Sequence, residues 1–269
     1  MSNKKKDHQN YNVLDKSEQQ WTNRVLLATP TTGLVRMEWV HARYGQIIPT
    51  NWSQVELSQW MGSYVPLQYQ LPDAENLIAK QVVDGDFEWL LSLEQDNVIP
   101  PHTFRTFNDY MISEEYPVVS GLYFTKSYPA EPLIYRGRGN GSYRNFKFGD
   151  KVMADGVPLG CVIIHGSIIK KLWEESPEYR VGNQVVRRVF QVPDRSLETP
   201  DANRFGAVRG TSDLEFCSRL MNDKILEKAG WPEFQKKKYP FLVDTDIFVR
   251  HIDDKGRQYP LEIPTQHNK

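Results

Sequence analysis

The chain has 269 residues, 39% of them hydrophobic and 12% aromatic with 7 Trp, more apolar content than a disordered chain leaves in water. Its 33 Lys and Arg against 34 Asp and Glu leave a formal charge of −1, which excludes a polycation that coats nucleic acid by charge alone. Two cysteines, Cys161 and Cys217, exclude a disulfide scaffold and a four-thiolate zinc site, and point to a reduced, cytoplasmic setting.

The first residues, through Lys16, carry a basic cluster with no apolar stretch behind it, unlike a secretory signal. Residues 24–28 form a short apolar run that ends in Thr29-Pro30-Thr31-Thr32-Gly33, the pattern of a buried strand entering a turn, with a helix expected over residues 35–44. Pro72 and Asp73 open a second helix, with Asp73 placed to cap it and Leu77, Ile78, Val82 and Val83 on one side, until Asp84-Gly85 stops it. Residues 87–93 read as a strand that exits into Glu94-Gln95-Asp96-Asn97. Pro100-Pro101 then precede an amphipathic helix with Phe104, Phe107 and Met111. Further strands are expected over residues 118–124 and 157–164, the latter running into a helix over residues 167–175 that Pro177 terminates. The most apolar segment, residues 157–169, is broken by Pro158, Gly160, His165 and Gly166 and is too short for the roughly 20-residue span of a bilayer. Residues 136–144 and 193–210 read as loops.

Strands alternating with helices predict an α/β fold, a mostly parallel central sheet flanked by helices. The expected layout is a basic tail over residues 1–20, a single domain over 21–252 and a C-terminal tail over 253–269. Sheets of this kind bind ligands beyond the carboxyl ends of their strands, which directs attention to the strand exits.

Glu94 and Asp96, at i and i+2 on an extended chain, point the same way at the end of an apolar strand. Hard oxygen ligands so placed suit Mg²⁺ or Mn²⁺, or simply solvate a strand end. Asp244 and Asp246 are a rival pair in a poorer context, and His251 beyond them reads alone as a structural histidine. Ser212 and Glu215 fit a capping box, leaving Asp213 in the first helical turn as a partner of the helix dipole or as a general base. No phosphate-binding Gly-x-x-x-x-Gly-Lys-Ser/Thr loop occurs, and no Gly-x-Gly-x-x-Gly follows a strand.

In order along residues 21–252, these segments resemble the nucleotide-sugar glycosyltransferases of GT-A fold, family 2-like in particular. The pieces that carry the resemblance are Val25-Leu-Leu-Ala-Thr-Pro-Thr31, Phe87-Glu-Trp-Leu-Leu-Ser-Leu-Glu-Gln-Asp96, Val118-Val-Ser-Gly-Leu-Tyr-Phe124, Pro158-Leu-Gly-Cys-Val-Ile-Ile164, Ser212-Asp-Leu-Glu-Phe-Cys217 and Val249-Arg-His251. The resemblance implies that Thr29, Pro30, Thr31, Asp73, Glu94 and Gln95 bind the nucleotide and that Glu94, Asp96 and His251 hold a divalent metal, Mn²⁺ or Mg²⁺. It implies that Asp213 is the catalytic base of an inverting transfer from a nucleoside diphosphate sugar, a UDP-sugar in the first instance, to an acceptor hydroxyl. Glu94 stands where the family has Asp, and Ser212 where it has Glu. Arg136, Arg138, Gly160 and Cys161 are the expected acceptor or phosphate contacts. With Arg144, Lys147, Arg187 and Arg188, the two arginines make a hydroxymethylated base in DNA one candidate acceptor beside glycans and small molecules. A nucleotidyltransferase or a non-catalytic nucleotide-sugar or glycan-binding module is the alternative.

Overall fold

The computed structural model describes residues 24–49, 64–137, 142–192 and 211–262. Within them a six-stranded sheet is built from β1 (Val25–Ala28), β2 (Trp89–Leu93), β4 (Val118–Leu122), β5 (Lys151–Ala154), β6 (Cys161–His165) and β9 (Phe241–Phe248), in the spatial order β1-β2-β6-β4-β9-β5. β1 runs parallel to β2, and β4 to β9. β6, inserted between β2 and β4, is antiparallel to both, and β5 is antiparallel to β9 at the edge. Four strands therefore share one direction and two oppose it. The fold is a mixed α/β domain.

Both faces of the sheet are covered, so its central strands are continuous apolar runs. The period of two sorts them: Leu26, Leu90 and Ile164 face one core, while Leu27, Leu91 and Ile163 face the other. The first core is closed by α2 (Leu71–Asp84), α4 (Gly166–Glu175) and α5 (Ser212–Asn222), through Ile78, Val82, Ile168, Leu172, Phe216 and Leu220. The second is closed by α1 (Met37–Tyr44) and α3 (Thr103–Ser113), through Trp39, Phe104, Phe107 and Met111. Each fully buried leucine or phenylalanine contributes about 1.5–3 kcal/mol. Two short helices, α6 (Ile225–Lys228) and α7 (Pro232–Gln235), lead into β9.

Local expectations were met with some shifts. α2 begins with Pro72 in its first turn, but its N-cap is Gln70 with no side-chain cap bond; Asp73 lies inside the helix and accepts from the Tyr179 hydroxyl at 2.8 Å. α5 is capped by Thr211, whose Oγ1 accepts from Leu214 N, one residue before the predicted Ser212. The strand expected from residue 157 starts at Cys161, because Pro158 has no N–H for a ladder. The turn from β6 into α4 needs Gly166, where a Cβ would lie 2.1 Å from the Phe87 carbonyl oxygen.

Other elements were not foreseen. The hairpin of β7 (Glu178–Val181) and β8 (Gln184–Arg187) packs against α2, and the edge strand β5 lies in a segment with no marked pattern. A small sheet joins β3 (Asn97–Val98), β10 (Arg250–Ile252) and β11 (Gln258–Tyr259). β11 lies in the stretch expected to be a tail, so the fold continues to Glu262. Residues 1–20 and the loop 193–210 fall outside the described residues. Among those described, no helix is long and apolar enough to cross a membrane.

Candidate active site at the strand exits

The four strands that share a direction end at one rim, and β6, being reversed, begins there. The exits of β1 (residues 29–33), β2 (94–97) and β4 (123–126) thus meet the entry of β6 (159–160), and β3 pairing with β10 brings His251 opposite Asn97.

Gln95 ties the first two exits together. Its Oε1 accepts from Thr31 Oγ1 at 2.5 Å and from Thr32 N at 2.8 Å, and its Nε2 donates to Thr32 Oγ1 at 3.0 Å. A cleft of about 260 Å³ opens beside this tie, lined by Leu27, Thr29, Thr31, Trp39, Tyr44 and Tyr64 among others. Pro30 is buried between the two lining threonines. Asp73, held by Tyr179, is not among the lining residues.

The backbone of Glu94 is fixed from two sides: its N–H donates to the Gly160 carbonyl at 2.8 Å, and its carbonyl accepts from Trp39 Nε1 at 2.9 Å. Gly160 is required where it stands. A Cβ there would lie 2.4 Å from Asn97 Nδ2, 2.6 Å from Glu94 Oε2 and 2.6 Å from the Tyr123 hydroxyl, which already accepts from Gly160 N at 2.8 Å.

Glu94, Asp96 and His251 each offer one ligand atom, all within 4.8 Å of one another. His251 Nδ1 lies 2.9 Å from the Phe124 carbonyl, which only accepts, so the ring proton sits on Nδ1. Nε2, on the far side of the ring, faces Asp96 Oδ2, 3.4 Å away. Asp96 Oδ1, buried beside them with no hydrogen-bond partner, is an acceptor left for a cation. Carboxylate oxygens with one imidazole whose far nitrogen is held by a carbonyl fit Mn²⁺ or Mg²⁺. Lys126, not foreseen, reaches the same Asp96 Oδ2 with its ammonium at 2.5 Å.

Electrostatics divide the carboxylates. Burial, then the charges of Asp96 and Asp213, push Glu94 well above the usual carboxylate range. Burial raises Asp96 too, but His251 and Lys126 outweigh it and hold it below its ordinary value. Asp213, in the first turn of α5, is pushed up to about 6 by burial, against the opposing hydrogen bonds of the Leu159 N–H and the Ser212 hydroxyl. Its charge is felt by Glu94, Tyr123 and Tyr135, so it belongs to the same rim.

Glu75 was also unforeseen. Only 6% exposed, it accepts from Ser212 Oγ at 3.4 Å, leaves its Oε2 unpartnered, and is raised by burial and then by Asp213 and Glu94. The helical pattern carried the signal, since Glu75 stands three, four and seven residues before the buried Ile78, Ala79 and Val82.

Several expected contacts are placed elsewhere. Cys161 is fully buried in the second core and its thiol is pushed up by burial, so it is no acceptor contact. Arg136 donates to the Met153 carbonyl and stacks over Tyr143 and Tyr239; Arg138 lies outside the described residues. Arg144 pairs with Glu131, Arg187 closes the end of α4, and Arg188 lies over Tyr179. Asp244 and Asp246 do not act together, because Asp244 is buried against the Tyr110 hydroxyl while Asp246 is exposed near His102.

No family model matches the sequence, and no curated protein matches it. Among solved structures the chain is similar to the protein A197 from STIV, at 14% identity and a TM-score of 0.51, over 91% of this chain and 100% of that one. At that identity the likeness speaks for a shared mixed α/β architecture spanning nearly the whole chain.

Proposed function

We propose that this chain is a metal-dependent glycosyltransferase of GT-A type. It moves a sugar from a nucleoside diphosphate sugar to an acceptor hydroxyl with inversion. One observation carries the reading: a cation-ready triad and a basic carboxylate, Asp213, drawn from three segments spread over more than 150 residues, converge at one rim beside an open cleft.

In this reading the cleft beside Thr29 and Thr31 takes the nucleoside, and Gln95 keeps the β1 exit in shape for it. Glu94, Asp96 and His251 hold the divalent ion, which when bound offsets charge on the departing diphosphate. The acceptor oxygen bonds to the anomeric carbon on the face opposite the diphosphate. The anomeric carbon–oxygen bond breaks, and its electron pair leaves with the nucleoside diphosphate. Asp213 takes the acceptor's proton. A carboxylate raised to about 6 is a stronger base than a solvated one and is still ionised at neutral pH. The Leu159 N–H and Ser212 hydroxyl orient it.

Because the described arginines of the presumed acceptor side have protein partners, a modified-DNA acceptor rests on little beyond the implied reaction class. Activity that falls steeply with salt supports it, and salt-indifferent transfer to small sugars removes it. The reading as a whole is tested by a thermal-shift screen of nucleoside diphosphate sugars with and without Mn²⁺, followed by product analysis. Mn²⁺-dependent stabilisation and release of a nucleoside diphosphate are expected. Release of pyrophosphate would instead indicate nucleotidyl transfer, and no stabilisation by any sugar nucleotide would end the proposal.

A further inference from the structure

We infer that Lys126 is a built-in cation that exchanges Asp96 for the departing diphosphate; this rests on the glycosyltransferase reading above. Lys126 follows β4 by four residues, on a loop fixed by its own hydrogen bonds. Thr125 N donates to the Glu131 carbonyl at 2.9 Å, and Glu131 N donates to Thr125 Oγ1 at 2.9 Å. This tie aims the ammonium back at the rim, where it meets Asp96 Oδ2, the oxygen that His251 Nε2 also faces. Its charge also reaches Glu94, the other acidic member of the triad.

Two cations cannot share one carboxylate oxygen at full strength. A divalent ion held by Glu94, Asp96 and His251 therefore competes with Lys126 for Asp96. The ion pair is weak enough to yield, since both side chains keep about a third of their surface in water (33% and 29%). Once released, the ammonium remains on its loop at the mouth of the triad. The nearest new negative charge there is the diphosphate that the ion binds. Lysine suits this role because it is a compact point charge on a flexible stem and finds phosphate oxygens without a fixed fork geometry. The exchange gives each state of the site a counter-charge: the carboxylates have Lys126 when the ion is absent, and the diphosphate has it when the ion is present.

The test uses the full chain, Mn²⁺ alone and inorganic pyrophosphate, read by electron paramagnetic resonance of free Mn²⁺ and by calorimetry, with no turnover required. In Lys126→Met, Mn²⁺ alone is expected to bind about 5-fold more tightly, because an exposed ion pair's worth of competition is gone. Pyrophosphate in saturating Mn²⁺ is expected to bind about 10-fold or more weakly, the loss of one charge-assisted hydrogen bond. Lys126→Arg, which keeps the charge, should stay within a few-fold of wild type in both. Unchanged Mn²⁺ affinity in Lys126→Met overturns the competition, and unchanged pyrophosphate affinity overturns the exchange. If the wild-type chain itself binds neither Mn²⁺ nor pyrophosphate, the glycosyltransferase reading falls and this inference falls with it. Because Lys126 is on an exposed loop, matching circular dichroism and melting of the variants show that the fold is kept.

Discussion

Replacing Asp213 by Asn separates the demands of the reaction from those of the fold. The carboxyl is raised from 3.8 to about 6, roughly two pH units. At 1.36 kcal/mol per unit, its ionisation opposes the folded state by about 3 kcal/mol at most. Residual contact with solvent screens this, and the Asn carbonyl can still accept from Leu159 N–H, so a net gain of about 1–2 kcal/mol is expected at pH 7.5. A domain of this size melts about 2–4 °C higher per kcal/mol, which makes a rise of roughly 2–8 °C. The sign follows from the raised value. The folded state binds the proton more readily than the unfolded chain, so the wild type loses stability as pH climbs from about 4 to about 6 and keeps that deficit above it. The melting advantage of Asp213→Asn should therefore be full at pH 7.5 and nearly gone at pH 4. Turnover should fall by about 10²–10⁴-fold with donor binding kept, the usual contribution of a general base. Melting curves at both pH values and steady-state rates check both halves. A variant equally destabilised at the two pH values, or one that turns over normally, refutes the assignment.

Wild-type kcat/KM should rise through pH 6 as Asp213 ionises, as a pH–rate profile would record. Asp96→Ala removes the triad's ionised member, so Mn²⁺ affinity by calorimetry should drop at least about 10-fold. Gly160→Ala drives a methyl to within 2.4–2.6 Å of three polar groups and should destabilise by about 1–3 kcal/mol, visible in denaturant unfolding, while also weakening Mn²⁺ binding through displacement of Glu94.

Most of the scaffold could be read from the chain because its central strands, such as Leu90-Leu91 and Ile163-Ile164, are buried on both faces and write themselves as unbroken apolar runs. The direction of β6 could not. No local pattern says that residues 157–160 carry the chain back to the same rim, yet that reversal places Leu159 and Gly160 in the site and turns Cys161 inward. The pair Glu94 and Asp96 was visible in its i, i+2 spacing, whereas His251, structural by its own pattern, entered the site only through the family resemblance, and the pairing of β10 with β3 sets it opposite Asn97 beside them. Lys126 meets Asp96 across 30 residues of sequence, a contact no periodicity encodes. The hairpin at Gly182-Asn183 had a legible signal, a two-residue turn between β-branched runs, and so did Glu75, by helical spacing. The short edge strand β5, beginning on an exposed Lys151, had none.

The most direct test of the account is a crystal of the full chain with UDP and Mn²⁺, examined at the manganese edge for an anomalous peak. The account predicts the peak among Glu94, Asp96 and His251, with the nucleoside in the cleft beside Thr29 and Thr31 and Asp213 facing the open side of the diphosphate. A peak elsewhere, or UDP bound away from this rim, contradicts it.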